Sequence, residues 1–229
     1  MKKRIKAGFV FISISLALEL LILIYSASYY RPDRTADKLI ASGNFETEGG
    51  LFIFKPGKNN NHTGIVFYPG GKVDCKAYIP LLNKLRRRGY TVVMSRMPFN
   101  LAFFDINAYK TAFPSLKNVD KVYIMGHSLG GVAASKAFSG SGVFSGLILL
   151  GSYPMDSYRS EDILAIYGSN DTNMKPEKNP EKSTSYVIEG GNHAWFGNYG
   201  VQAGDGKADI SHDKEQNEAV CTIVKFTEE

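Results

Sequence analysis

Val122-Tyr123-Ile124-Met125-Gly126-His127-Ser128-Leu129-Gly130-Gly131 decides how this chain reads. The apolar run predicts a buried strand, and residues 129–138 continue in a helical pattern, so the chain passes from strand to helix across a G-x-S-x-G turn. Such a turn is tight enough to hold a serine hydroxyl clear of the sheet edge. Ser128 then takes a strained backbone conformation, and Gly126 and Gly130 remove the side chains that would collide. Leu129 opens the helix, where its N–H has no intrahelical acceptor and faces a developing oxyanion from the positive helix end. Ser128 is therefore the candidate nucleophile.

Outward from this turn, strands and helices alternate. Strands are expected at 50–54, 63–68, 90–95, 121–125, 146–151, 162–167 and 183–189, and helices at 77–88, 105–113, 129–138 and 211–227. The first two strands flank the turn-rich 56–62 and predict a hairpin. Apolar strands without strict alternation, interleaved with helices, predict a mostly parallel sheet covered on both faces, an α/β architecture. Functional groups in such a sheet collect at the carboxyl ends of the strands.

That rule selects the partners of the serine. Among four histidines, His62 lies in an early turn, His127 adjoins the serine with its side chain expected to point away, and His212 reads as a solvated helix-entry residue. His193 follows the strand 183–189 through Gly190-Gly191-Asn192 and is the candidate general base and acid. Asp171, just past the strand 162–167, is the candidate acid that orients it; Asp156 is the rival, and Asp205 comes too late in the order Ser, Asp, His. A second oxyanion donor is expected in the loop Pro69-Gly70-Gly71-Lys72-Val73, with Gly71 first and Lys72 or Val73 as alternatives. Phe99 and Phe103, after the strand 90–95, and Trp195, after His193, are candidate substrate contacts. Neither a metal nor an organic cofactor is implied.

The N-terminus has a separate character. Lys2, Lys3, Arg4 and Lys6 precede the apolar run 7–25, interrupted only by Glu19, which predicts a membrane anchor; a signal peptide cleaved near Ser26-Ala27-Ser28 is the alternative, leaving a secreted domain. Either way the domain is expected outside the cytoplasm, because the basic flank stays inside. The expected organisation is an anchor or signal at 1–28, a linker and lead-in at 29–49, and one catalytic domain at 50–229. The chain carries +5, but removing those four basic residues and Glu19 leaves 23 Lys and Arg against 21 Asp and Glu. A balance near +2 is no nucleic-acid signature. Cys75 and Cys221 are too few for a disulfide framework and read as small buried or half-buried side chains.

Taken together, the elbow at Gly126–Gly131, the Gly168–Asp171 segment and Gly191-Asn192-His193 resemble the α/β-hydrolase superfamily. The loop Phe67–Asp74 and the stretch 190–200 are similar to the small single-domain hydrolases near the dienelactone hydrolases. The resemblance implies an α/β-hydrolase fold without a separate cap, because 152–161 is too short to form one, and cleavage of a small carboxylic ester through an acyl-enzyme. Two departures stand out: Pro69-Gly70 where many relatives carry His-Gly, and Ser128 where dienelactone hydrolases use cysteine. A lipase or thioesterase acting on membrane lipid with the same residues is the alternative, and a binding protein on a hydrolase scaffold is a third reading.

Overall fold

The structure, a computed structural model, describes residues 2–154, 162–175 and 184–228, without the side chains of 2–10, Leu23 and Ser26. One sheet contains β1 (Glu46–Glu48), β2 (Leu51–Phe54), β3 (Thr63–Tyr68), β4 (Thr91–Ser95), β5 (Lys121–His127), β6 (Gly146–Leu150), β7 (Ile163–Gly168) and β8 (Thr184–Ile188). Their spatial order is β1-β2-β4-β3-β5-β6-β7-β8; β1 and β2 run antiparallel to their neighbours and the rest are parallel. The helices are α1 (Lys2–Ala27), α2 (Arg34–Ala41), α3 (Ile79–Arg87), α4 (Tyr109–Ala112), α5 (Leu129–Ser141) and α6 (His212–Glu228).

Alternate residues of the central strands enter two different cores. Ile65, Phe67, Met125, Ile148 and Leu164 face α3 and α6, whose Leu81, Leu82, Leu85, Ala219 and Ile223 complete one cluster. Val66, Tyr68, Ile124, Leu147 and Leu149 face the other way, toward Ala133, Ala134 and Ala137 of α5. Both faces are dry, which is why the strands read as unbroken apolar runs.

That same loss of alternation misleads the pairing. The hairpin expected between the strands at 50–54 and 63–68 does not form: β4 lies between β2 and β3, and β2 pairs antiparallel with β4, Leu51 opposite Ser95. All four residues of β2 are buried, so no polar face fixes its neighbour. The hairpin that does form joins β1 to β2 through Gly49 and Gly50, whose φ angles of 56° and 85° suit a turn with two left-handed residues. The expected helix at 105–113 is instead a series of short turns with the four-residue α4, and Pro114 sits at the start of the last of them.

The segment 29–49 packs onto the domain. Tyr30 makes a parallel bridge to Val73, donating its N–H to the Lys72 carbonyl at 2.8 Å and accepting the Asp74 N–H at 2.9 Å. Asp33 caps α2 through bonds from the Thr35 and Ala36 N–H groups, and Ala36 is fully buried. Over the described residues no helix is long and apolar enough to cross a membrane. Within α1, the large side chains from Phe11 to Tyr25 that are described stand exposed. Cys75 and Cys221 are unpaired, the first buried and the second exposed.

Candidate active site

The parallel strands end in register, Tyr68 opposite Gly126, His127 opposite Leu150 and Gly168 opposite Ile188. Their outgoing loops therefore meet at one edge of the sheet. Ser128 follows β5 with φ 52° and ψ −124°, a left-handed strain that a non-glycine residue holds only where its surroundings impose it. A Cβ on Gly126 would overlap the Gly130 carbonyl, and one on Gly130 would overlap the Pro69 carbonyl. The Ser128 N–H is tied to the Leu150 carbonyl at 2.9 Å, and Ser128 O accepts the Gly131 N–H at 2.9 Å. The side chain is left half-buried at the start of α5.

Asp171 and His193 are in contact. His193 Nδ1 lies 2.8 Å from Asp171 Oδ2, and both side chains are buried. A carboxylate can only accept, so Nδ1 carries the proton and Nε2 is left as the basic nitrogen. Asp171 is held by the Asn173 N–H on its other oxygen at 2.9 Å. Among the described residues no hydrogen bond joins Ser128 to His193; unliganded catalytic hydrogen bonds are often long and tighten with substrate. The rival Asp156 lies outside the described residues.

The loop after β3 narrows the choice of oxyanion donor. The Gly70 N–H goes to Tyr78 Oη at 3.1 Å, Lys72 N–H to the Asn100 carbonyl at 2.8 Å and Val73 N–H to the Gly70 carbonyl at 3.3 Å. Gly71 alone of the four has an N–H without an acceptor among the described residues. Its Cα also lies against Leu129, for a Cβ there would sit 2.8 Å from Leu129 Cδ2. The two candidate donors, Gly71 and Leu129, are thus neighbours.

The candidate substrate contacts are less gathered. Phe99 and Phe103 are 52% and 43% exposed. Phe99 lines a cavity of about 370 Å³ with Tyr29, Asp74, Lys76 and Arg96, to which Ser128 does not contribute. Leu101, between the two phenylalanines, is the side chain that approaches Gly71. Trp195 is turned to α6, where its ring stacks on His212 at 4.1 Å and 17°. His212 is therefore not the solvated helix-entry residue expected, and burial lowers its pKa.

Spacing along the chain does not associate several of the residues that surround His193. Asp205 accepts the His193 and Ala194 N–H groups at 3.1 and 2.9 Å. Glu215 accepts the Asn192 N–H at 3.1 Å. Gly151, φ 50°, passes so near the pair that a Cβ would lie 2.9 Å from His193 Nδ1. His127, expected to point away, is fully buried and donates from Nε2 to the His193 carbonyl at 2.9 Å. Asp205 and Glu215 are too far along the chain for spacing to implicate them; the glycine after an apolar strand at the active edge was the one available clue to Gly151.

The family described as "Alpha/beta hydrolase family" matches residues 64–217, which include Gly71, Ser128, Asp171 and His193. This chain belongs to the alpha/beta hydrolase family. No curated protein matches it. Among solved structures it is similar to XC6422 from Xanthomonas campestris, described as an α/β serine hydrolase without lid, with TM-score 0.53 and 14% identity over 78% of this chain and 87% of that one. Est1E from Butyrivibrio proteoclasticus is similar with TM-score 0.55 and 14% identity over 81% and 98% of the two chains. A ferulic acid esterase from Streptomyces cinnamoneus gives TM-score 0.54 and 14% identity over 75% and 67%. These likenesses establish the fold, a mostly parallel sheet with no separate cap domain among the described residues of this hydrolase.

Proposed function

We propose that this α/β hydrolase is a serine esterase that cleaves a small carboxylic ester through an acyl-enzyme. The observation that carries the reading is the buried Asp171–His193 contact of 2.8 Å at the sheet edge that also holds the strained Ser128. Ser128 Oγ attacks the ester carbonyl as His193 Nε2 takes its proton, and Asp171 stabilises the imidazolium. The Leu129 and Gly71 N–H groups hold the oxyanion. His193 returns the proton to the leaving alcohol, then takes one from the water that attacks the acyl-enzyme and passes it to Ser128 Oγ as the acid leaves.

A fluorophosphonate probe tests this directly. The full-length protein should be labelled on Ser128 and should hydrolyse p-nitrophenyl acetate, and Ser128→Ala should lose both with its far-UV circular dichroism unchanged. Undiminished turnover by Ser128→Ala would falsify the mechanism.

The second reading, hydrolysis of a lipid ester or thioester, is favoured by the exposed Phe103 and Phe104 and by the exposed apolar side chains of α1. A higher rate on esters in lipid vesicles than on soluble esters would select it. The location we propose, at a membrane with the domain outside the cytoplasm, rests on the basic flank and apolar run of the first 25 residues. Alkaline extraction of membranes and protease accessibility of the domain test it; release into the soluble fraction at full length would overturn it.

A further inference from the structure

His127 stands between the three loops that meet at the candidate active site. It is bonded to Ser128 in the chain, its Nδ1 lies 2.7 Å from Tyr78 Oη, and its Nε2 lies 2.9 Å from the His193 carbonyl. Tyr78 Oη in turn accepts the Gly70 N–H at 3.1 Å. Tyr78 and His127 are both fully buried.

Proton counting leaves one arrangement. The His193 carbonyl can only accept, so His127 Nε2 must carry hydrogen. Tyr78 has a single hydroxyl proton, and its oxygen is already an acceptor for Gly70. If Nδ1 were also protonated, the hydroxyl would have to turn its proton to another acceptor, and the corner is sealed: a Cβ on Gly70 would lie 2.6 Å from Tyr78 Oη and 2.8 Å from His127 Nδ1. The chain therefore runs from the Gly70 N–H to the Tyr78 oxygen, from the Tyr78 O–H to Nδ1, and from Nε2–H to the His193 carbonyl. Burial and the neighbouring His193 hold His127 well below the usual imidazole range, which keeps it neutral. The titratable groups facing it are Tyr78 and His193.

We infer that Tyr78 and His127 are positioning residues that fix the oxyanion loop and the general-base loop to the nucleophile elbow through this directed hydrogen-bond chain. The inference rests on the esterase reading above for its kinetic consequence, and on geometry alone for the chain itself. Gly71, the candidate oxyanion donor, is the residue after Gly70, and His193 is held by its backbone on one side through Asp205 and on the other through His127. Loosening either link lets the donor or the base drift from Ser128 without removing any group that touches substrate.

Three variants of the full-length protein test it on p-nitrophenyl acetate. Tyr78→Phe should lower kcat about 10- to 100-fold with KM held within about threefold, the cost of sub-ångström misplacement. His127→Leu should match it, whereas His127→Gln, whose amide can both accept from Tyr78 and donate to the His193 carbonyl, should stay within about fivefold of the parent chain. Combining Tyr78→Phe with His127→Leu should cost no more than about threefold beyond the worse single change, because both cut one chain. Wild-type kcat in Tyr78→Phe and His127→Leu, or losses that multiply in the double variant, would overturn the inference.

A measurement on the wild-type protein needs no substrate and no variant that folds. The ¹⁵N shifts of His127 should report a neutral Nε2–H ring from about pH 7 to 9. An Nδ1–H tautomer, or protonation within that range, would overturn the chain. Absence of fluorophosphonate labelling would instead remove the esterase reading and leave this tautomer result to decide the wiring.

Discussion

Glu215→Gln makes a prediction whose size can be worked from the structure. The carboxyl of Glu215 is fully buried at the start of α6, with Oε2 accepting the Asn192 N–H at 3.1 Å and Oε1 meeting no hydrogen-bond partner. Burial pushes its pKa from 4.5 up to about 8, the Asn192 bond opposes the rise, and the charges of Asp205, Asp171 and Glu218 add to it. Between those values the folded chain keeps a proton that the unfolded chain has released. The contribution of this group to stability is therefore fully present below the unfolded pKa and is lost as pH rises through 8. The slope is about 1.4 kcal/mol per pH unit, on the order of 5 kcal/mol across the window, against a whole-domain stability of roughly 5–15 kcal/mol. Gln keeps the shape and an acceptor for Asn192 but cannot titrate. Urea unfolding of the full-length protein, followed by the fluorescence of its one tryptophan, Trp195, at steps from about pH 5 to 9 supplies the comparison. The wild-type free energy should fall relative to the variant by a few kcal/mol between the ends of the series. Parallel curves, whatever their offset, would refute the argument that Glu215 is folded in its protonated form.

Three further outcomes follow from the same structure. Asp171→Asn should lower kcat about 10³- to 10⁴-fold in ester hydrolysis, because an amide can hold His193 in the wrong tautomer; a loss below about tenfold would remove Asp171 from the proposed mechanism. Gly130→Ala places a methyl on the Pro69 carbonyl and should reduce the melting temperature by several degrees, a cost of about 2 kcal/mol or more, whereas Gly140→Ala, with open space around it, should leave melting unchanged or slightly raised. Deleting residues 1–33 removes the Tyr30 bonds to Lys72 and Asp74 and the Asp33 contacts to Asn198, so both melting temperature and kcat should fall relative to a deletion of 1–28. Equal behaviour of the two deletions in calorimetry and kinetics would show that the Tyr30 bridge leaves the oxyanion loop unaffected.

What the chain itself determined was local and positional. Strand, turn and helix around Ser128 are encoded within ten residues, and the glycines there are compulsory because backbone passes backbone at Gly126 and Gly130. The alternation of strands and helices sufficed for the α/β architecture, and the placement of Asp171 and His193 after strands sufficed to bring them to one edge, where they touch. Tertiary structure decided the rest. Whether β2 pairs with β3 or β4 depends on competition among wholly buried strands that carry no polar face to distinguish them. Gly71 separates from Gly70, Lys72 and Val73 only when the acceptors Tyr78, Asn100 and Gly70 are seen to take the other three N–H groups. His127, Asp205 and Glu215 converge on the histidine loop from three unrelated parts of the chain, so no spacing could associate them. Phe99, Phe103 and Trp195 show the converse: sequence position brought them near the active edge, but side-chain packing directed Trp195 onto His212 and left the phenylalanines facing outward. A residue's place along a strand or loop fixes where its backbone goes, whereas its partners are fixed by what the other segments leave unsatisfied.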